Sequence, residues 1–332
     1  MTDLPKLSKK DFTSDQEVKW CPGCGDYAIL SATQLAMSKI GIPPHQVAVI
    51  SGIGCSSRFP YYVNTFGMHS IHGRAPAVAT GVKLQNPDLS VWIITGDGDA
   101  LSIGGNHFAH IIRRNLDVNI LLFNNEIYGL TKGQYSPTSQ TGLKTKSTPY
   151  GSLDRSFSPA KFALGAGATF FARTIDTDPK HMMEVMQKAH EHKGTSVIEI
   201  MQNCVIFNDK VHDAVTNRAV RDENTVRVEH GQPLIYGKDK DKALVQEGFG
   251  FKTVEATNEN DLLLHNSSDE CFSELLANLN GSNGPLPLGV LRQLEFATYN
   301  EDFHKQIDDQ KVKKGKSSIQ DLLNSGSTWT VN

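Results

Sequence analysis

The sequence predicts an α/β protein built on a parallel sheet, and two observations carry this. Short apolar runs of strand length alternate with helix-length segments, the pattern of a parallel sheet with crossover helices. Two of those runs, residues 91–95 and 118–123, end in the polar clusters Gly96-Asp97-Gly98 and Asn124-Asn125, about 25 residues apart. Each cluster stands where a buried strand emerges into a loop, the edge at which open parallel sheets hold ligands.

The elements follow in order. Residues 1–20 are polar and read as an N-terminal arm. Residues 26–40 read as a helix capped by Asp26, with Ile29, Leu30, Leu35, Ala36 and Ile40 near helical spacing. Val47-Ala48-Val49-Ile50 is a short buried strand ending in Ser51-Gly52-Ile53-Gly54-Cys55, and residues 75–83 form a small-residue helix able to pack closely on a sheet. A helix around residues 108–114 joins the two motif strands. Residues 135–159, rich in Ser, Thr, Gly and Pro, form a long loop, and long loops in compact domains are usually functional. Residues 178–192 read as a helix capped by Asp178 with Pro179 at its first position, and residues 196–201 as a further strand. After about residue 225 the pattern changes: residues 239–242 and lysines 311, 313, 314 and 316 lie in polar, poorly periodic sequence. The expected organisation is an arm (1–20), a ligand-binding α/β domain (21–225) and a C-terminal extension (226–332) covering that domain or contacting a partner.

Composition narrows the function. The chain has 332 residues, 39% of them hydrophobic, enough for a real core. Its net charge of -3 gives no electrostatic case for nucleic acid or an anionic membrane surface. No apolar run has the length of a membrane span, and the N-terminus lacks the apolar stretch of a signal peptide. The five cysteines are few and odd in number, so a reducing cytoplasm is the expectation, where clustered cysteines mean metal or redox chemistry.

Asp97 and Asn125 can give a hard cation two oxygen ligands from neighbouring strand ends, and the glycines flanking Asp97 let backbone approach a phosphate. GDG followed by NN at this distance looks like the magnesium-diphosphate signature of thiamine diphosphate enzymes. Trp20-Cys21-Pro22-Gly23-Cys24-Gly25 adds a CxxC pair, which alone fits a zinc knuckle, a redox disulfide or an iron-sulfur site. Cys55 and Cys204 also follow predicted strands, on the side where Asp97 and Asn125 emerge. Four thiolates around one point suit a 4Fe-4S cluster or a structural zinc, and ligands scattered so widely are less typical of a compact zinc ribbon. Cys271 is left over as a structural cysteine.

Together these motifs resemble the thiamine-binding β subunit of 2-oxoacid:ferredoxin oxidoreductases, across roughly residues 17–235. The segments that carry the resemblance are residues 20–25, Gly52-Ile-Gly-Cys-Ser56, His72-Gly-Arg-Ala75, Gly96-Asp-Gly-Asp99 and residues 124–134, in order and spacing. The similarity is greatest to the two-subunit enzymes that use 2-oxoglutarate. The resemblance implies a parallel-sheet, pyrophosphate-type thiamine diphosphate-binding domain. Mg²⁺ is then held by Asp97, Asn125 and the carbonyl of Ile127. Ile53, Gly54, Cys55, Ser56, Gly98, Asp99, Gly129 and Leu130 line the cofactor, the backbone N–H groups of Gly98 and Asp99 meeting the diphosphate. Cys21, Cys24, Cys55 and Cys204 ligate one 4Fe-4S cluster. Arg58 and Lys132 meet the carboxylates of the 2-oxo acid, and His72 acts on substrate or cofactor.

The implied reaction is oxidative decarboxylation of 2-oxoglutarate with coenzyme A to succinyl-CoA and CO2, in either direction, with electrons passing through the cluster to ferredoxin. Thiamine enzymes also need a glutamate on the aminopyrimidine ring, and this chain has no second α/β unit to supply it. That glutamate is expected from an α subunit, in an (αβ)2 assembly. Within the family, pyruvate or a broad range of 2-oxo acids is the alternative substrate. A non-oxidative thiamine lyase leaves the four cysteines idle, and a non-catalytic iron-sulfur or zinc module leaves the diphosphate motif idle.

Overall fold

The computed structural model describes residues 7–257, 262–315 and 318–331. Residues 1–6 of the expected arm and Lys316 lie outside them. The strands are β1 (Val47–Ser51), β2 (Phe66–His69), β3 (Ser90–Gly96), β4 (Val118–Asn124), β5 (Phe170–Ile175), β6 (Thr195–Met201), β7 (Thr225–Val228), β8 (Ile235–Tyr236), β9 (Lys242–Glu247), β10 (Gly250–Glu255) and β11 (Leu286–Gln293). They form one sheet of order β10-β9-β8-β7-β11-β5-β6-β4-β3-β1-β2. From β5 to β2 every pairing is parallel, and β11 joins β5 antiparallel.

The main helices are α1 (Asp26–Ile40), α2 (Ala75–Gln85), α3 (Asp97–Leu101), α4 (Gly105–Arg114), α5 (Pro159–Gly165) and α6 (Pro179–Glu191). The parallel strands β1, β3, β4, β5 and β6 are buried on both faces, so both must be covered. Ile50, Ile93, Ile120, Leu122 and Val197 pack with residues of α2, α4 and α5 on one side. Val49, Trp92, Leu121, Phe123 and Ile198 pack with residues of α1 and α6 on the other. Asp178 caps α6 as expected, accepting from the His181 N–H.

Two expectations change. Asp26 does not cap α1: Gly25 holds the cap position without a side-chain bond, and Asp26 is the first helical residue with its carboxyl buried. The boundary at 225/226 falls inside β7, and the strands β7 to β11 beyond it are part of the same sheet. These strands are hard to read locally because β8 has two residues and the β9–β10 hairpin is half exposed. Beyond them, helices at Tyr299–Lys314 and Ile319–Leu323 are largely exposed.

The topology positions the site. β6, β4, β3 and β1 are neighbours and parallel, so their carboxyl ends lie side by side. The segments leaving those ends are 202–204, 125–134, 97–99 and 52–56.

Candidate active site

Two cavities lie at these strand ends. The first, about 80 Å³, is lined by residues 53–56, His72, Asp97, Gly98, Asp99, Asn125, Ile127, Gly129 and Leu130, among others. Every residue expected at the cofactor or its cation therefore faces one space. Asp97 is the first residue of α3, directly after β3, so the early N–H groups of that helix have no carbonyl above them, and those of Asp97 and Gly98 turn to the Asp97 carboxyl. Gly98 is required by close approach: a Cβ there would lie 2.2 Å from the ring of Tyr128, whose hydroxyl donates to the Gly98 carbonyl at 3.0 Å.

Asp99 ties the cavity walls together. Its Oδ1 accepts from the backbone N–H groups of Ile53 (3.0 Å) and Gly73 (2.7 Å) and pairs with Nδ1 of His72 (2.6 Å). Its Oδ2 accepts from the Thr95 hydroxyl at 2.8 Å. A carboxylate against Nδ1 fixes the proton there and leaves Nε2 as the nitrogen His72 has available for a ligand. Asp97 is held differently, by hydroxyls of the long loop: Ser136 and Thr138 both donate to its Oδ2, at 2.5 and 2.6 Å.

The second cavity, about 230 Å³, is lined by Cys21, Cys24, Cys55 and Cys204 with Arg58 and Lys132. All four thiols are free. The indole N–H of Trp20 donates to the Cys55 carbonyl at 2.7 Å, and the Gly25 N–H to the Asn203 carbonyl at 3.1 Å, drawing three distant segments together. Gly129 packs between two of the cysteines, for a Cβ there would lie 3.5 Å from Sγ of Cys204 and 3.6 Å from Sγ of Cys55. Among the described residues, no three His, Cys, Asp or Glu side chains converge closely enough to hold a single metal ion. The two cavities share a wall of Cys55, Asn125, Gly129 and Leu130. Arg58 and Lys132 border only the second. Arg58 donates Nε to the Tyr62 hydroxyl at 2.9 Å, and Lys132 sits in the left-handed region at φ 74°. Cys271 is exposed on a helix outside both cavities.

The electrostatics are those of a site built for positive charge. Burial pushes Asp97 up to about 6 despite its two hydroxyl donors. Burial, then the charges of Asp97 and Glu199, pushes Glu126 up to about 8, and its Oε2 has no partner. Burial raises Asp26 to about 7 despite a hydrogen bond from the Cys24 thiol; the residue, 1% exposed, borders the thiol cavity. Burial, followed by the Asp26 charge, lifts the thiol of Cys55 to about 12 and that of Cys24 further. Thiols so raised give up their protons only to a positively charged centre.

Sequence reasoning missed Asp26, Glu126, Tyr128, Gln202 and the Ser136–Thr138 clamp as parts of the site. Tyr128 and Glu126 lie within the quoted motif 124–134. Gln202 gave no local signal: its Oε1 accepts from Nδ2 of Asn125 at 2.7 Å, a contact across two strands.

Comparison with known proteins agrees with this geometry. Residues 52–200 match the family model described as "Thiamine pyrophosphate enzyme, C-terminal TPP binding domain". The 2-oxoglutarate oxidoreductase subunit KorB of Mycobacterium tuberculosis is 47% identical, over 99% of this chain and 90% of its own. The 2-oxoglutarate synthase subunit KorB of Methanocaldococcus jannaschii is 33% identical over 88% of this chain and 93% of its own. A solved 2-oxoglutarate:ferredoxin oxidoreductase from Magnetococcus marinus, with 2-oxoglutarate, coenzyme A and succinyl-CoA bound, superposes with a TM-score of 0.78 at 32% identity, covering 98% of both chains.

Proposed function

The chain belongs to the thiamine pyrophosphate-binding β subunits of the 2-oxoglutarate oxidoreductases, and from that premise we propose that it carries the cofactor and electron-relay half of a 2-oxoglutarate:ferredoxin oxidoreductase. The reaction is oxidative decarboxylation of 2-oxoglutarate with coenzyme A to succinyl-CoA and CO2, the electrons leaving to ferredoxin. The observation that carries this reading is the shared wall: a cavity fit for a cation and diphosphate abuts a cavity ringed by four free thiols.

The residues present fit the groups the family implies. Asp97 is a buried carboxyl that burial alone disfavours as an anion, and a bound cation removes that penalty. Four free thiols around one cavity suit a cluster that brings its own inorganic atoms. When bound, thiamine diphosphate supplies an electron sink for loss of CO2 and a 4Fe-4S cluster supplies a one-electron relay.

The chain's residues then have these roles. Asp97, Asn125 and the Ile127 carbonyl hold Mg²⁺, and the N–H groups of Gly98 and Asp99 hold the diphosphate. Residues 53–56, Gly129 and Leu130 shape the cofactor's bed. Cys21, Cys24, Cys55 and Cys204 hold the cluster. Arg58 and Lys132 pair with substrate carboxylates, and His72 offers Nε2 to substrate or cofactor. The partner is an α subunit that brings the pyrimidine-binding glutamate, in an (αβ)2 assembly. The free thiols suit a reducing cytoplasm, and among the described residues no helix is long and apolar enough to cross a membrane.

The test is co-expression with the α subunit under anaerobic conditions. The complex is expected to contain iron and to reduce ferredoxin only when 2-oxoglutarate and coenzyme A are both present, while the purified chain alone is inactive. Colourless protein holding zinc, or decarboxylation without electron transfer, overturns the proposal. Faster turnover of pyruvate than of 2-oxoglutarate overturns the substrate assignment.

A further inference from the structure

Gln202 leaves the end of β6, borders the thiol cavity and is 1% exposed. Its Oε1 accepts from Nδ2 of Asn125 at 2.7 Å, while its Nε2 donates to Sγ of Cys24 at 3.4 Å and to the Asn203 carbonyl at 2.5 Å. The orientation of this amide is over-determined. Asn125 turns its Oδ1 to the Ile127 N–H at 3.2 Å, so the group it offers Gln202 is a donor. The Asn203 carbonyl can only accept, so the other end of the Gln202 amide must be nitrogen. That nitrogen is the one beside Cys24. The backbone leaves a path for the side chain: a Cβ on Gly25 would lie 3.0 Å from Cγ of Gln202.

We infer that Gln202 is a positioning residue shared by both centres, orienting Asn125 for the cation while its amide N–H tunes the electron affinity of the cluster through Cys24. The inference rests on the reading of the two cavities given above. An N–H donated to a ligating sulfur draws electron density from it and favours the reduced cluster, raising its potential. Outer hydrogen-bond partners of metal ligands typically change metal affinity by ~10–100-fold when removed.

Three variants of the anaerobic complex with its partner subunit separate the two functions. Q202L removes both contacts. Its cluster is expected to titrate at lower potential, on the order of a tenfold change in the reduction equilibrium or about 59 mV for one electron. The Mg²⁺ concentration for half-maximal thiamine diphosphate binding, read by calorimetry, is expected to rise ~10-fold or more. Q202E keeps an acceptor for Asn125 but has no N–H for Cys24, so its potential falls while its Mg²⁺ demand stays near wild type. Q202N, which shortens the reach to both groups, should not restore either reading.

If Q202L does not assemble, Q202E decides: a fallen potential with normal Mg²⁺ demand supports the inference. Variants that lose only thermal stability, with potential and Mg²⁺ demand unchanged, overturn it. A wild-type complex without iron or without Mg²⁺-dependent cofactor binding overturns instead the reading of the cavities.

Discussion

Thr138 sets its hydroxyl 2.6 Å from Oδ2 of Asp97 and 3.0 Å from Oδ1 of Asn124. Asn124 in turn donates Nδ2 to Glu199, which pairs with Arg173 across β5 and β6. The long loop is thus anchored on Asp97, the proposed cation ligand, and, through Asn124, on a buried ion pair. Its far end returns to the same point, where Ser156 donates to the Thr138 carbonyl at 2.7 Å. With Oδ2 of Asp97 occupied, Oδ1 is left for a cation. Thr138→Val keeps the shape and removes the hydroxyl. It should raise the Mg²⁺ requirement for thiamine diphosphate binding by ~10-fold or more, and Thr138→Ser should restore it. Equal Mg²⁺ titrations for valine and threonine would refute the clamp.

The raised carboxyls predict a pH dependence for the chain free of metal and cluster. Glu126 and Asp26 keep their protons in the folded state up to about 8 and 7, whereas their unfolded values are near 4.5 and 3.8. Between those limits the folded state binds more protons, so stability falls as pH rises through the folded values. Buried His181 and His192, lowered by burial to about 3 and about 4, act oppositely but only below the ordinary histidine value of 6.5. The clean window is therefore pH 6.5 to 8. Urea unfolding should show stability declining there, with each carboxyl contributing a slope of up to about 1.4 kcal/mol per pH unit. Glu126→Gln should remove its share of the slope. A flat or rising profile contradicts the assignment.

Gly98 and Tyr128 form a coupled pair. Alanine at 98 would drive its Cβ into the Tyr128 ring at 2.2 Å, and such overpacking costs ~1–3 kcal/mol. In a Tyr128→Ala background the same substitution should cost only a few tenths of that, a coupling visible in a double-mutant cycle. If Gly98→Ala costs as much with alanine at 128 as with tyrosine, the close approach is not what demands glycine.

The parts of this fold that could be read from sequence are those whose signal is local. The apolar runs of β1, β3, β4 and β6 end in Gly, Asp, Asn or Cys clusters within a few residues, so both the strand and its chemistry are visible together. β5 was hidden because Phe170-Phe171-Ala172-Arg173 carries a charge, and Arg173 is tolerated only because Glu199, 26 residues on, meets it at 2.7 Å. β2 was hidden because all four of its residues are exposed at the sheet edge. α3 was hidden by its two glycine neighbours, Gly96 and Gly98, which argue for a turn where the chain in fact starts a helix. The cysteine set was legible as four residues, but Asp26 and Gln202 among them were not, because their roles depend on contacts between strand ends and leave no spacing in the sequence.

The proposed role of Arg58 predicts a separation of the substrates. Arg58 lies one turn beyond Cys55, its Nε donating to the Tyr62 hydroxyl, and it borders only the thiol cavity, whereas Asp97 borders only the other. That position suits the distal carboxylate of 2-oxoglutarate better than the carboxylate next to the ketone. A hydrogen bond to a charged group contributes about 1.5–3 kcal/mol, which is ~10–150-fold in affinity. Arg58→Ala should therefore raise KM for 2-oxoglutarate by that factor in the complex with the α subunit, leave kcat less affected, and change turnover of pyruvate, which lacks a distal carboxylate, only slightly. Lys132→Ala, one residue after Thr131 of the first cavity's lining, is expected to weaken both substrates together. Equal losses for 2-oxoglutarate and pyruvate in Arg58→Ala would remove the distal-carboxylate role and leave Arg58 as a support for Tyr62 and the Cys55 segment.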